Sequence, residues 1–377
     1  MGRMLKLING ISALGIVALA AVSAWPGGAS QRTTQIGELL APIRAQHNLP
    51  ALAGAVLTSR GLVDIGAVGV RKAGAEIPVT DADEWHLGSD TKALTATVIA
   101  SLVEKGKLAW DVTMERMFPE VAKSMNAEMR GVTLLELLSH RAGLPHDANW
   151  RQASRSGTLR EQREAVVRMA AAIQPLSPPG SKYEYSNLGY VLAGAMAERV
   201  TNTAWEELIT RTIFEPLGMK SAGFGGTGTP GKIDQPWPHF ATGKPTENNG
   251  PMIDNPEVMG PAGTVHCSLA DWAKFVADHL RGERGERALL RPESYRMLHT
   301  PPFGGNYAAG WLVVERPWGG GTVLTHAGSN TMNYAVVWMA PKRDFAVLVC
   351  TNEGGDAAAK ACDEAAGALI KRQGSGM

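Results

Sequence analysis

The stretch Gly88-Ser89-Asp90-Thr91-Lys92-Ala93-Leu94-Thr95-Ala96-Thr97-Val98-Ile99-Ala100-Ser101-Leu102-Val103 decides how the chain is read. From Ala93 to Val103 it carries no charge. Its apolar residues fall on nearly every face, which predicts a buried helix rather than an amphipathic surface one. Lys92 falls in the first turn of that helix. Lysine is rarely buried without a reason, and a spacing of three puts its side chain on one face with Ser89. An amine in a partly apolar site has its charged form disfavoured and its pKa lowered, so it can take a proton from a neighbouring hydroxyl. The pattern offers Ser89 as a nucleophile and Lys92 as part of its base. The tetrapeptide alone does not decide the matter. Ser-x-x-Lys arises by chance about once in a chain of this length, and serine, aspartate and threonine before an apolar run also fit a helix cap.

Working outward, residues 31–46 read as mostly helical, with Pro42 weakening the last turn. Two β-rich runs, 53–58 and 62–68, flank Ser59-Arg60-Gly61 and predict a hairpin. Helices are expected at 132–139, 159–173, 187–200 and 205–213. Residues 222–262 are rich in glycine, proline and asparagine and read as a long loop, a candidate wall or lid of a site. Ser268-Leu269-Ala270-Asp271 has capping-box spacing and opens a helix to about Leu280. After Pro301 the pattern turns to strands at 310–315, 322–326, 334–339 and 346–351, closed by a helix at 356–371. β signals at both ends with helices between predict an α+β fold. One antiparallel sheet is built from both chain ends (31–83 and 300–372) and flanked by helices, with a mainly helical lobe (84–299) inserted.

At 377 residues the chain can bury a large core. Its 37 basic and 36 acidic residues nearly balance, and no basic patch points to nucleic acid. Arg3 and Lys6 precede an apolar run from about Ile11 to Val22, and Val22-Ser23-Ala24 offers small residues for cleavage. This is the layout of a secretory signal peptide over residues 1–24, predicting a periplasmic or secreted protein; an uncleaved anchor is the alternative, disfavoured by the shortness of the run. No stable membrane insertion is expected after cleavage. Cys267, Cys350 and Cys362 form neither a disulfide framework nor a zinc pattern and read as small buried residues. The nine histidines show no metal-ligand spacing, so no metal or cofactor is expected.

Two further clusters bear on Ser89. Tyr183-Glu184-Tyr185-Ser186-Asn187 lies between a proline turn and a helix; a phenol beside a lysine can be partly deprotonated and serve as a base, although a tyrosine packed on the core reads as well. Thr325-His326-Ala327-Gly328-Ser329-Asn330 ends a strand, and its glycine permits close backbone approach to a ligand. The N–H after that glycine, with the N–H of Ser89, could polarise a carbonyl; a plain glycine turn also fits.

Together, Ser89-Asp90-Thr91-Lys92, Tyr185-Ser186-Asn187 and His326-Ala327-Gly328 resemble the Ser-x-x-Lys, Tyr-x-Asn and Lys/His-x-Gly motifs of the penicillin-binding-protein and class C β-lactamase superfamily of serine hydrolases. That grouping includes family VIII-type esterases and D-aminopeptidases. The flanks agree: Leu137-Leu138-Ser139-His140 with Gly143-Leu144-Pro145, Pro216-Leu217-Gly218-Met219, and Pro261-Ala262-Gly263. The likeness covers about residues 35–370. It implies a two-lobed β-lactamase-like fold with the site between the lobes. It implies Ser89 as acylated nucleophile, Lys92 and Tyr185 as proton-transfer pair, the Ser89 and Ser329 N–H groups as oxyanion hole, and Asn187, His326 and Gly328 as substrate contacts. A Gly-x-Ser-x-Gly elbow is absent, which disfavours an α/β-hydrolase. His326 stands where class C β-lactamases carry lysine. Histidine is mostly neutral at pH 7, which suits esters or amides without a carboxylate. The expectation is a serine hydrolase acting on small esters, amides or peptides. The alternatives are a β-lactamase or cell-wall D,D-peptidase, or a non-hydrolysing receptor that is acylated slowly.

Overall fold

The structure is a computed structural model that describes residues 35–375. The signal-peptide expectation for residues 1–24 and the start of the first expected helix lie outside the described residues. Nine strands run β1 Ala51–Thr58, β2 Gly61–Gly69, β3 Glu84–His86, β4 Gly223–Phe224, β5 Val265–Ser268, β6 Leu312–Arg316, β7 Gly321–Ser329, β8 Tyr334–Ala340 and β9 Phe345–Thr351. Six of them form one sheet in the order β2-β1-β9-β8-β7-β6, with every neighbouring pair antiparallel. Ala53 lies opposite Cys350, so the sheet joins the two ends of the chain.

The residue-by-residue alternation of a strand sorts the side chains between two cores. Val347 and Val349 of β9 pack with Ile36, Leu40 and Leu369 of the two terminal helices, Gln35–Gln46 and Asp356–Ser375. Ala346, Leu348 and Cys350 face the larger core, shared with Val98 and Phe275. All seven residues of β9 are buried, which is why it reads as an unbroken apolar run. The first helix continues through Pro42 to Gln46.

The larger core centres on the helix Thr91–Glu104, buried from Thr91 through Leu102. It packs among the helices Asn187–Thr201, Trp205–Ile209 and Pro292–Leu298, while Leu269–Glu283 lies between the sheet and Pro292–Leu298. Arg163, fully buried, donates to Glu198 at 2.6 Å and to Glu206 at 2.5 Å. It thereby ties Leu159–Ala171 to two other helices.

The chain departs from the sequence reading at several points. A small sheet, β3-β5-β4, occupies the region expected to be helices and loop; strands of two to four residues are too short to show a period. The helix Pro292–Leu298 is likewise too short, although proline at its start favours it. The capping box at Ser268 is not reciprocal. Ser268 Oγ accepts from the Asp271 N–H at 3.2 Å, but the Asp271 carboxylate takes Ser221 instead, and the Ser221 hydroxyl accepts from the Ser268 N–H at 2.9 Å. Cys267, Cys350 and Cys362 are free and buried. Among the described residues no helix is long and apolar enough to cross a membrane.

Candidate active site

A single 3₁₀ turn, Gly88–Asp90, delivers Ser89 at the head of the buried helix, with Lys92 one turn further on. Lys92 has 0% exposure. Its Nζ lies 3.0 Å from Ser89 Oγ, 2.8 Å from Asn187 Oδ1 and 2.7 Å from the Ala262 carbonyl oxygen. The Asn187 amide is oriented by its other end, because Nδ2 donates to Asp147 Oδ1 at 3.0 Å. Two of the three Lys92 partners are therefore pure acceptors and the third is a hydroxyl. A neutral amine satisfies this set fully, with two N–H donors for Asn187 and Ala262 and a lone pair for the Ser89 proton. Burial pulls the Lys92 ammonium down to about 7, against the opposing charges of Asp147 and Asp90.

Tyr185 donates its hydroxyl to Ser89 Oγ at 2.7 Å. Burial pushes its phenol above the ordinary range, outweighing the Ser89 hydrogen bond. The expectation of a partly deprotonated phenol gives way here: the same desolvation that lowers the lysine's pKa keeps the tyrosine's proton in place. With Lys92 neutral, the three groups form one directed chain, from the Tyr185 hydroxyl to Ser89 Oγ and from the Ser89 hydroxyl to the Lys92 lone pair.

Opposite this group runs the end of β7. Its partner β6 reaches only to Thr325, so among the described residues no strand covers 326–329 on that side. Gly328 presses against the Gly88–Asp90 turn. A Cβ there would lie 2.0 Å from the Leu87 carbonyl oxygen and 2.5 Å from the Ser89 nitrogen. Gly88, at φ +51°, answers it: its Cβ would lie 2.3 Å from the Ser329 nitrogen. These two glycines let the Ser89 and Ser329 backbones approach within one contact layer.

His326 does not open onto this face. It is 4% exposed, with Nε2 3.0 Å from the Tyr307 hydroxyl and Nδ1 3.4 Å from the buried Asp90 carboxylate. Burial holds Asp90 above the usual carboxylate range, against the pull of His326. Gly328 is buried as well, so its place is backbone contact with the turn. Of the expected substrate contacts, Asn187 stays partly exposed beside Ser89.

Sequence reasoning missed several groups that shape the site. His140, at φ +57°, accepts the Ser186 N–H on Nδ1 at 3.0 Å and is kept neutral chiefly by burial. Tyr185, Tyr307, Tyr190 and Tyr183 surround its ring at centroid distances of 4.4–5.7 Å. His86 accepts the Gly88 N–H at 3.0 Å, and its other nitrogen lies 2.8 Å from Asp254, a carboxylate that also accepts from Asn330 at 2.8 Å. Asp254 comes from the 222–262 segment, as does the Ala262 carbonyl, so that segment reaches the base of the site. A signal for His140 existed in the Leu137–Pro145 flank; Asp254 lies in the 222–262 segment expected to wall the site and Asp147 in a second expected wall, 146–151, but no motif singled out either residue. Among the described residues no group of three or more His, Cys, Asp or Glu is placed to hold a metal ion.

Comparison with known proteins places this geometry. The family described as Beta-lactamase matches residues 36–370. Penicillin-binding protein 4 of Amycolatopsis lactamdurans is 26% identical over 327 residues, covering 83% of each chain. Protein flp of Staphylococcus aureus (strain COL) is 23% identical over 283 residues, 74% of this chain and 54% of its own length, so the chain spans about half of that relative. Among solved structures, the octameric penicillin-binding protein homologue from Pyrococcus abyssi superposes with a TM-score of 0.72 at 23% identity, covering 89% of this chain and 78% of that one. The D-alanine carboxypeptidase AmpC from Burkholderia cenocepacia gives 0.71 at 19% identity, covering 89% and 97%. The chain belongs to the beta-lactamase family, within the serine β-lactamase and penicillin-binding-protein superfamily.

Proposed function

We propose that the protein hydrolyses small esters or amides through a covalent acyl-enzyme on Ser89. The observation that carries this reading is the hydrogen-bond inventory around Ser89 Oγ: a phenol donor on one side and, on the other, a buried amine whose remaining partners accept only. In this scheme the Ser89 proton passes to the Lys92 lone pair as Oγ bonds to the substrate carbonyl carbon. The oxyanion sits against the Ser89 and Ser329 N–H groups, an interaction worth about 10²–10³ in rate for each donor. As the tetrahedral centre collapses, the leaving oxygen or nitrogen takes a proton from the Tyr185 hydroxyl, which is resupplied from the Lys92 ammonium. Water then attacks the ester, gives its proton to Lys92, and Ser89 leaves with a proton returned by the same pair.

The inward-turned His326 supports acyl groups without a carboxylate, since its ring is buried with Nε2 bonded to the Tyr307 hydroxyl and Nδ1 turned toward Asp90. The signal-like start of the sequence supports export, tested by the mass of the protein recovered outside the cytoplasm. The Ser89→Ala protein loses fluorophosphonate labelling and turnover of p-nitrophenyl butyrate; full labelling of that variant excludes Ser89 as the nucleophile. Nitrocefin and D-alanyl-D-alanine amides in the same panel separate esterase, β-lactamase and peptidase, and a persistent adduct in intact-protein mass spectrometry identifies a receptor.

A further inference from the structure

We propose that Asp147 is a positioning residue for the reaction, fixing the Asn187 amide with its oxygen toward Lys92 and setting a negative charge beside that amine. The inference rests on the acyl-enzyme reading above.

Asn187 has two faces that differ in sign, and nothing in its own geometry tells it which to show Lys92. Asp147 decides. Its Oδ1 accepts from Asn187 Nδ2 at 3.0 Å and from Trp150 Nε1 at 3.1 Å, and its Oδ2 lies 2.5 Å from His146 Nδ1. A carboxylate accepts only, so the Asn187 NH₂ must face it and the amide oxygen must face Lys92. The backbone holds the arrangement, with the Asn187 N–H donating to the His146 carbonyl at 2.8 Å. Without Asp147 the amide can rotate and offer an N–H to Lys92. That would remove one of the two acceptors that pin the amine's hydrogens and turn its lone pair to Ser89.

The charge acts separately. Around Lys92 the titratable groups are Asp90 on its own turn, Asp147, the imidazole of His140, and the Tyr185 and Tyr190 phenols whose rings lie 4.9 and 5.5 Å from Nζ. Burial keeps His140 neutral and both phenols protonated, and it holds Asp90 above the usual carboxylate range. Asp147 is different: although desolvation raises it, hydrogen bonds from Asn187, His146 and Trp150 hold it below that range. Of the two carboxylates that favour the Lys92 ammonium, Asp147 acts more strongly than Asp90.

The two roles separate in two variants. Asp147→Asn can still present an oxygen to Asn187 and Trp150 but carries no charge; Asp147→Ala carries neither. The test is the pH profile of kcat/KM for p-nitrophenyl butyrate on the full chain, whose acid limb reports the loss of the Lys92 proton near pH 7. In D147N the limb moves to lower pH by roughly 0.3–1 unit, the size expected for a partly exposed charge a few ångströms away. In D147A it moves likewise and the plateau falls about tenfold or more, the size of a misplaced proton acceptor. D147N recovers that plateau. A simply structural residue would lower the melting temperature and leave the limb in place. Limbs of both variants coinciding with the parent overturn the inference; should D147A not fold, an unshifted limb in D147N overturns it alone. The Ser89→Ala protein keeps the two readings apart. Turnover surviving in S89A defeats the acyl-enzyme reading, whereas a dead S89A with unshifted Asp147 limbs defeats only this one.

Discussion

Gly328→Ala is the sharpest perturbation of the oxyanion geometry. The added Cβ would sit 2.0 Å from the Leu87 carbonyl oxygen, 2.5 Å from the Ser89 nitrogen and 2.8 Å from the Asp90 nitrogen, where real Cβ contacts essentially never fall under 3.0 Å. All three atoms are backbone, held by the Leu87 N–H to Val265 bond at 2.9 Å and the Asp90 N–H to Leu87 bond at 3.1 Å. They cannot swing aside as a side chain would, so β7 and the Gly88–Asp90 turn must separate by about 1 Å. A shift of that size in a reacting constellation costs about 10² in rate, equivalent to about 2.7 kcal/mol of transition-state stabilisation. Overpacking costs the fold about 1–3 kcal/mol. The expected result is a folded protein with a modestly lowered melting temperature, kcat/KM for p-nitrophenyl butyrate down about 10²–10³-fold, and a matching fall in the fluorophosphonate labelling rate. Gly131→Ala serves as control, because its Cβ would meet nothing within 4 Å. A G328A protein with more than about a third of parental kcat/KM refutes the argument, since the Ser89 and Ser329 N–H groups would then not need their present spacing.

Tyr185→Phe removes the proton donor to the leaving group, so alkyl esters and amides should lose about 10² in kcat while p-nitrophenyl esters, whose leaving group departs as an anion, lose under about tenfold; equal losses would argue against that role. Glu353 is 4% exposed, its Oε2 has no hydrogen-bond partner, and burial raises its carboxyl to about 7. Its folded pKa thus lies above its unfolded one, so its stabilising share is full below about pH 4.5 and drains away as pH rises through 7, by at most roughly 3 kcal/mol. Thermal melts should show Glu353→Gln gaining stability over the parent at pH 8.5 and not at pH 4.5, and an equal effect at both would contradict the linkage.

The sequence was most readable where residue chemistry and period agreed. The helix Thr91–Glu104, the hairpin of β1 and β2, and the strands β7, β8 and β9 all fall within a few residues of where composition puts them. The Ser89, Lys92 and Tyr185 side chains were legible as a set because their three motifs together resemble those of one superfamily, while only Lys92 stood out on burial cost alone. What could not be read were contacts closed by residues far apart in sequence with no local pattern. Asp147 sits on an exposed stretch, and Asp254 in a loop; only the folded chain brings one to Asn187 and the other to His86 and Asn330. The state of Tyr185 was misjudged for a related reason. A neighbouring lysine is visible in the motif pattern, whereas the burial that raises the phenol comes from the folded surroundings, His140 among them.

The strand order has a consequence for how the molecule comes to exist. β1 pairs on one side with β2, its immediate successor, and on the other with β9, nearly the whole chain later. Until β9 is made, β1 presents a bare edge, a state prone to wrong pairing. Ser89 meets Ser329 only when that late half of the sheet is in place. A nascent or truncated chain can therefore carry the serine, the lysine and the tyrosine in full and still lack half of the proposed oxyanion cradle. If Ser89 is acylated as proposed, onset of acylation during synthesis would mark completion of the sheet and report the final folding step.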